Sequence, residues 1–312
     1  NDYGVYKSTD GTNFAKIDLP LNSAGTEYEP NNIKIAADNS VYISTTSDVF
    51  GDGGGAIFQS TNADATTFTL RHTVPNGLRT EIACSSQNAG TIYVLAQLST
   101  DPVGVYKTTN NFGNVFALGL PNDADNGISA NDFTRGQAFY DLLIRVDPTD
   151  DNVLYLGGID LFKSSNGGGL YSQFSHWYGG FGFQEVHADQ HGMAFSSISP
   201  NRVVFSNDGG VYFSNDGGTT TSARNNGFNT LQFYTVGVAP TTALTGDNFL
   251  AGAQDNGTQL FRNSNAGVDG STETQGGDGA YSFFDQDGTD QYYIANFVFN
   301  NSINLYNLAN GS

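Results

Sequence analysis

Near the middle of the chain, two imidazoles and one carboxylate occur within the short segment His187-Ala188-Asp189-Gln190-His191. In an extended strand, residues i, i+2 and i+4 share one face. The spacing therefore predicts that His187, Asp189 and His191 point the same way. Two histidines and a carboxylate are a ligand set for zinc or another transition metal. Two other interpretations stay open: a buried structural network of charge-assisted hydrogen bonds, and a role in substrate binding or catalysis.

Three aspartates in glycine-containing turns form a second constellation: Asp208, Asp255 and Asp278. Each follows an apolar run, in successive repeats of the chain. Loops at the same level of each repeat would bring the three to one rim of a central channel that the repeats surround. A pair of carboxylates about 5–10 Å apart is what glycoside hydrolysis requires, which makes these residues the candidate catalytic groups. The same oxygen-rich loops suit calcium, and turns of this kind are also common as purely structural elements.

A third candidate is an aromatic segment interrupted by glycines, containing Trp177, Tyr178, Phe181 and Phe183. Aromatic faces on a loop suit the stacking of sugar rings, so the segment is a candidate ligand-binding site. The alternative is that these side chains pack between neighbouring sheets, because aromatic residues most often contribute to the core.

The charge balance limits the partners. Lys and Arg number 12 against 31 Asp and Glu, a formal net charge of -19. Such a surface repels phosphate backbones and anionic lipids, which argues against nucleic acid as a partner. No apolar stretch approaches the roughly 18 residues that a membrane helix needs, so direct membrane insertion is not expected. Glycans, other cell-surface proteins and cations remain, with Ca²⁺ ahead of Zn²⁺ as the expected ion because the chain is so acidic.

An apolar-aromatic pair followed by a polar residue and Ser or Thr recurs along the chain, with its aromatic at Tyr6, Phe58, Tyr106, Phe162 and Tyr212. A period of about 50 residues made of short strands is typical of a β-propeller blade. The expected innermost strands are 32–37, 80–85, 140–146, 192–198, 233–239 and 279–284. The expected second strands are 40–45, 91–96, 153–157, 202–206, 249–253 and 291–295.

The sequence therefore predicts an all-β fold, a β-propeller of four-stranded antiparallel blades. Residues 1–312 would form a single propeller or part of one, with five complete blades and incomplete first and last blades. Seven or more blades are expected in the full protein. Because Asn1 is not an initiator and residues 3–7 already read as a strand, we expect the chain to belong to a longer polypeptide.

The turns after the third strands have a chemistry of their own. Asp10, Asn166 and Asp216 each precede glycine at this place. A short Asp or Asn side chain can accept hydrogen bonds from amides two or three residues on, and glycine supplies positive φ. We expect these aspartates to be structural rather than catalytic.

Four motifs in order carry a family resemblance: His187-Ala-Asp-Gln-His191, Ser206-Asn-Asp-Gly-Gly-Val-Tyr212, Gln254-Asp-Asn-Gly-Thr258 and Gly276-Gly-Asp-Gly279. Together with Ser214-Asn-Asp-Gly-Gly-Thr-Thr220, which fits the Asp-box pattern Ser-x-Asp-x-Gly-x-Thr, they resemble secreted bacterial Asp-box (BNR-type) propellers. That group is related to the sortilin propeller and to propeller glycoside hydrolases active on xyloglucan. The resemblance implies a secreted or cell-surface protein.

The sequence is compatible with three functions. The first is a non-catalytic module for glycan or protein binding, or for adhesion, because no carboxylate pair stands out as catalytic. The second is a glycoside hydrolase with paired carboxylates, acting on a plant or algal polysaccharide. The third is a scaffold domain of a larger cell-surface assembly.

Overall fold

The structure is a computed structural model that describes residues 4–62, 64–228, 230–242, 244–262, 270–287 and 291–308. The described residues form short strands joined by turns, with one 3₁₀ turn at Val298–Asn300. None of the helical segments in this part of the chain has the length and apolar character that crossing a bilayer requires.

The strands follow one another in sheets whose spatial order matches the chain order. A two-stranded sheet comes first, with β1 (Val5–Lys7) and β2 (Ala15–Ile17). The next sheet contains β3 (Glu29–Ile35), β4 (Val41–Thr46), β5 (Ala56–Ser60) and β6 (Thr69–Thr73). It is followed by β7 (Gly77–Cys84), β8 (Ile92–Leu98), β9 (Val103–Thr108) and β10 (Phe116–Ala117). A further sheet contains β11 (Leu143–Val146), β12 (Leu154–Gly157), β13 (Leu161–Ser164) and β14 (Ser172–Gln173).

A short parallel pair, β15 (Ser175–His176) and β16 (Gln184–Glu185), interrupts this series. Two more four-stranded sheets and one three-stranded sheet follow it. The first contains β17 (Gln190–Phe195), β18 (Val203–Asn207), β19 (Gly210–Ser214) and β20 (Ser222–Ala223). The second contains β21 (Phe233–Val238), β22 (Asn248–Ala253), β23 (Thr258–Arg262) and β24 (Ser271–Gln275). The last contains β25 (Gly279–Phe284), β26 (Tyr292–Phe297) and β27 (Asn301–Asn307).

The predicted all-β fold of four-stranded antiparallel propeller blades is confirmed. Within the described residues five sheets have four strands, and the first and last have two and three. The predicted start of the strand at 140–146 is wrong, because Tyr140 and Asp141 both donate main-chain hydrogen bonds to Gln137 in a turn. The strand begins at Leu143 instead.

The chain divides into two compact units. Unit 1 contains Asn1–Asn207 and Val211–Ala223, and unit 2 contains Asp208–Gly210 and Arg224–Ser312. The single propeller over 1–312 stays a prediction. In unit 1 consecutive innermost strands are neighbours: β3 lies beside β7, β7 beside β11 and β11 beside β17. In unit 2, β21 lies beside β25.

The core of unit 1 lies between successive sheets. Tyr93 on β8 and Tyr155 on β12 are buried, and the hydroxyl group of each contacts the next sheet. The Tyr93 hydroxyl donates to the main-chain oxygen of Asp151, which lies between β11 and β12, at 2.6 Å. The Tyr155 hydroxyl donates to the main-chain oxygen of Gly217 at 3.1 Å, and the Lys163 ammonium donates to the same oxygen at 3.1 Å. Gly217 has φ of 67°, and a Cβ there would lie 3.2 Å from the Tyr155 hydroxyl oxygen.

The turns after the third strands share one arrangement in five of the sheets. A Ser or Thr hydroxyl donates to the Asp or Asn oxygen two residues on, at 2.7 to 3.2 Å. That oxygen also accepts amide hydrogen bonds from the end of the turn, as Asp216 does from Thr220 at 2.8 Å. We refer to these as the Ser/Thr-x-Asp/Asn turns. Their acidic or amide members are Asp10, Asn62, Asn110, Asn166 and Asp216.

In unit 2 the last sheet carries apolar side chains on an exposed face. Phe283 pairs with Ile294, and Ile294 pairs with Leu305, so these three lie in a row across β25, β26 and β27. Tyr281 and Ile303 are also exposed on the outer two strands. We call these five residues the apolar face of unit 2.

Candidate functional site

The predicted alternation through His187, Asp189 and His191 is wrong, because β17 begins only at Gln190 and Asp189 has φ of 64°. The left-handed residue breaks the period of two. Asp189 is buried, whereas His191 is exposed and meets Tyr140 edge to face. Within the described residues this triplet is not among the groups whose ligand atoms lie within 4.8 Å of one another. The adjacent Gln184 is taken up structurally, because its amide donates to the Gly218 oxygen at 2.7 Å.

The three candidate catalytic aspartates belong to unit 2, and the structure brings them together. One carboxylate oxygen of Asp208 and one of Asp255 lie within 4.8 Å of each other. Asp278 Oδ1 accepts the main-chain N–H of Asp255 at 2.9 Å. Asn256 Nδ2 donates to the main-chain oxygen of Asp208 at 3.1 Å. Their convergence within one unit agrees with the expectation that strand-end loops meet, while their catalytic role stays a prediction.

The aromatic segment forms a loop in unit 1, residues 177–183, which we call the aromatic loop. Its two ends are joined by the parallel pair β15 and β16, which no pattern in the sequence had indicated. Gly179, Gly180 and Gly182 all have φ between 68° and 86°. Only glycine adopts such angles readily, so the repeated glycines give the loop its tight path. The side chains of Trp177, Tyr178 and Phe181 are exposed, and Phe183 is partly buried.

The base of the aromatic loop is the fully buried side chain of His176. Its imidazole meets the ring of Tyr178 edge to face at 4.1 Å and that of Phe181 at 5.2 Å between centroids. Trp177 in turn meets Tyr178 edge to face at 4.5 Å. The three exposed rings are therefore arranged around one buried imidazole.

A cluster of three carboxyl groups and one guanidinium lies beside His176. The Arg135 Nη2 atom is 2.9 Å from Asp123 Oδ2, 2.7 Å from Asp125 Oδ2 and 3.6 Å from Asp160 Oδ2. Tyr178 donates its hydroxyl proton to Asp125 Oδ1 at 3.0 Å. His176 Nε2 lies 3.3 Å from Asp125 Oδ2. Through Asp125, the cluster is connected directly to the aromatic loop.

Local structure fixes each charged group. Arg135 has φ of 51° in a turn where Asp132 Oδ1 accepts the Gly136 amide at 2.8 Å. Phe133 anchors this turn, because it is fully buried and packs edge to face on Phe162 of β13.

The hairpin between β12 and β13 places Asp160 fully inside the protein. The Gln173 side chain joins the two sides of the cluster. Its amide nitrogen donates to Asp160 Oδ2 at 3.2 Å, and its oxygen accepts the Ala124 N–H at 2.8 Å.

The carboxyl groups of the cluster differ in acidity. Burial raises the pKa of Asp160 to about 7, and the nearby charge of Asp123 adds to the increase. Desolvation also acts on Asp125, but hydrogen bonds from Tyr178 and Arg135 outweigh it and lower the pKa of that carboxyl. Within one cluster, Asp160 therefore holds a proton far more readily than Asp125.

The cluster contains a potential ligand set. Asp123, Asp160 and His176 each offer one ligand atom, and these atoms lie within 4.8 Å of one another. No spacing in the sequence links the three residues, because they come from an irregular loop, a hairpin and a two-residue strand. The only available signal was the placement of Trp177 and Tyr178 directly after a histidine.

Comparison with known proteins assigns this chain to no family. No protein-family model matches it, and no curated protein is significantly similar in sequence. Among solved structures, a GH74 xyloglucanase from Xanthomonas campestris is 15% identical, with a TM-score of 0.44, over 88% of this chain and 43% of that one. A GH74 enzyme from Niastella koreensis is 14% identical, with a TM-score of 0.40, over 98% of this chain and 50% of that one.

YCF48 from Cyanidioschyzon merolae is 12% identical, with a TM-score of 0.42, over 90% of this chain and 81% of that one. The chain thus spans half or less of the length of the two GH74 enzymes. These likenesses carry no argument about activity, ligand or partner. The sheets described above define an all-β protein of the β-propeller class.

Proposed function

We propose that this chain is a non-catalytic carbohydrate-binding module that stacks sugar rings on the aromatic loop. One observation carries the proposal. Trp177, Tyr178 and Phe181 expose 42%, 51% and 58% of their surface while their common base, His176, is fully buried. Large aromatic rings held in place without being covered are available to a ligand.

The loop is suited to binding because little order has to be gained. Tyr and Trp provide large contact areas at a low cost in conformational entropy, and a fixed loop reduces that cost further. Asp125 is partly exposed beside Tyr178 and provides carboxylate oxygens that can accept hydrogen bonds from sugar hydroxyls. The net charge of -19 favours neutral over anionic glycans.

The same proposal includes the family and the location. The Ser/Thr-x-Asp/Asn turns support membership of the Asp-box (BNR-type) group, related to sortilin-like propellers. The acidic surface and the sequence motifs support secretion or display at a bacterial cell surface, as part of a longer polypeptide. Secretion is tested by following the full-length protein in its own cells.

The test is a glycan array, followed by affinity measurements on the best ligand. Phe181→Ala is compared with Phe116→Ala, because Phe116 on β10 is equally exposed at 59% but lies outside the loop. Phe181→Ala and Trp177→Ala should weaken binding at least about ten-fold, or ~1.4 kcal/mol, and Phe116→Ala should not. Equal affinity in all variants, with unchanged melting temperatures, would show that the aromatic loop does not bind the glycan.

A glycoside hydrolase is the second candidate, favoured by the proximity of Asp208 and Asp255 in unit 2. Retaining enzymes use two carboxyl groups about 5–5.5 Å apart, and one oxygen of Asp208 lies within 4.8 Å of one oxygen of Asp255. Incubation with plant and algal polysaccharides would then release new reducing ends. Asp208→Asn and Asp255→Asn should each abolish this release. Binding without any release in the wild-type chain excludes the hydrolase for the polysaccharides tested.

A scaffold is the third candidate, favoured by the apolar face of unit 2. Such a protein would bind no glycan. Its association with another chain would be lost in Phe283→Asp without a change in melting temperature, because that side chain is already exposed.

A further inference from the structure

The imidazole of His176 is buried without the partners that such a group normally has. It is fully inaccessible to solvent, and neither ring nitrogen makes a hydrogen bond within the described residues. The nearest acidic atom is Asp125 Oδ2, 3.3 Å from Nε2. Asp160 Oδ1, also fully buried, is likewise without a hydrogen-bond partner. Buried polar atoms are paired in the great majority of cases, so each of these atoms needs an explanation, and a bound ion is one.

Possible ligand atoms of three residues converge beside His176. One ligand atom each from Asp123, Asp160 and His176 lies within 4.8 Å of the other two. Ligand atoms around a tetrahedral zinc ion are about 3.3–3.6 Å apart, given bonds of about 2.0–2.2 Å. Side-chain rotations that move the ligand atoms by about 1 Å are enough to close the difference between 4.8 Å and that spacing.

The charges of the cluster also call for a cation. Asp123, Asp125 and Asp160 face a single guanidinium, that of Arg135. Carboxyl groups bind a metal in their ionised form. When all three are ionised, the single guanidinium leaves two negative charges without compensation in a largely buried place. A divalent ion supplies that compensation, and carboxylates buried without a counter-charge are strongly unfavourable. Arg135 contacts Asp125, which is not among the three ligands, at 2.7 Å. It also donates to both carboxylate oxygens of Asp123, at 3.0 and 2.9 Å, so a bound ion shares Asp123 with the guanidinium.

We propose that Asp123, Asp160 and His176 bind one divalent transition-metal ion of the zinc type. An imidazole nitrogen among the ligands favours zinc and its neighbours over calcium and magnesium, which prefer oxygen alone. Three protein ligands leave a fourth position for water. The partly exposed side chains of Asp125 and Arg135 mark the side from which an ion enters.

The ion also affects the aromatic loop. A bound metal fixes the ring of His176, on which Tyr178 and Phe181 rest edge to face. Metal binding and the order of the loop are therefore coupled. The metal site itself is independent of the proposed carbohydrate binding, since zinc binding is measured without a glycan.

The experiment is equilibrium dialysis of the purified, chelator-treated chain against Zn²⁺, with elemental analysis and thermal melting. We expect about one Zn²⁺ per wild-type chain and a raised melting temperature, as follows from binding to the folded state alone. Asp123→Asn and His176→Gln should weaken binding at least ten-fold. His191→Gln is the matched control: it changes an exposed histidine of the other candidate cluster and should bind zinc as the wild type does.

A second measurement uses only the wild-type chain, and so does not depend on whether a variant folds. X-ray absorption at the zinc edge should show one imidazole nitrogen with carboxylate oxygens. The proposal is overturned if the wild type binds no Zn²⁺, if both ligand variants bind it unchanged, or if Ca²⁺ binds there in its place.

Discussion

At the residue scale, the Ser/Thr-x-Asp/Asn turns show how one side-chain oxygen organises a whole turn. Asp216 Oδ1 accepts both the Ser214 hydroxyl and the Thr220 amide, and Asn166 does the same with Ser164 and Leu170. The neutral amide oxygen and the charged carboxylate thus perform the same task. What differs is the response to pH.

The first prediction concerns that response. Hydrogen bonds from the Thr220 amide, then from the Thr220 and Ser214 hydroxyls, lower the pKa of Asp216 in the folded state. A carboxyl whose pKa is depressed on folding contributes stability above its unfolded pKa of about 3.9, and that stability is lost as the pH falls through the folded pKa. The melting temperature of Asp216→Asn should therefore decrease less than that of the wild type between about pH 5 and pH 2.

The reverse change is the control for this prediction. Asn166→Asp places a carboxyl in an equivalent turn and should make the melting temperature more dependent on acid. Identical pH profiles for all three proteins would show that the turn oxygen's charge contributes nothing to stability.

The second prediction concerns the guanidinium of Arg135. Arg135→Met leaves the buried carboxyl groups of Asp123 and Asp160 without their counter-charge, which should cost about 3–5 kcal/mol. Arg202→Met is the comparison, because Arg202 is exposed and lies over the Phe213 ring at 5.6 Å. That change should cost under ~1 kcal/mol. Urea denaturation of both variants distinguishes a structural ion cluster from an incidental one.

At the scale of elements, neighbouring sheets in unit 1 are joined by a repeated contact. Lys107 lies over the ring of Tyr93, and Lys163 lies over that of Tyr155. Each pair faces the first glycine of the next turn, which is Gly167 or Gly217. The turn and the sheet before it therefore form one interface.

The third prediction measures this interface. Gly217→Ala combines the strain of φ near 67° with a Cβ only 3.1 Å from Lys163 Nζ. Gly11 occupies the same place in the first turn, with φ of 73° and nothing within 4 Å of an added Cβ. Gly11→Ala should cost only the backbone strain of about 1–2 kcal/mol, and Gly217→Ala about 1 kcal/mol more. Equal denaturation midpoints would show that the contact with Tyr155 and Lys163 is unimportant.

The strands themselves were largely predictable, because apolar runs of strand length recur between glycine-rich turns. The bounds expected for 279–284 match β25, and most others are within three residues. The site was less predictable for a physical reason. Tertiary contacts between irregular segments bring together Asp123, Asp160 and His176. No spacing in the sequence therefore predicts this cluster. The His187-Asp189-His191 spacing did suggest a site, but a single left-handed residue, Asp189, removes its periodicity.

At the scale of the whole chain, the fourth prediction concerns the apolar face of unit 2. Phe283, Ile294 and Leu305 form a row of directly paired side chains on an exposed sheet surface. Exposed apolar patches promote association. Replacing Phe283 and Leu305 with Thr should therefore reduce concentration-dependent association in light scattering, at a stability change of roughly 0.5 kcal/mol. Unchanged association would place the contact elsewhere on the chain.

The repeated contact between sheets in unit 1 has an evolutionary consequence. Tyr, Lys and Gly meet in the same way from β8 and β9 to the next turn as from β12 and β13 to the one after. Because each sheet offers its neighbour the same residue types, a duplicated sheet would find a compatible surface on both sides. Unequal recombination within such a gene can therefore lengthen or shorten the array by whole repeats without requiring a new interface to evolve.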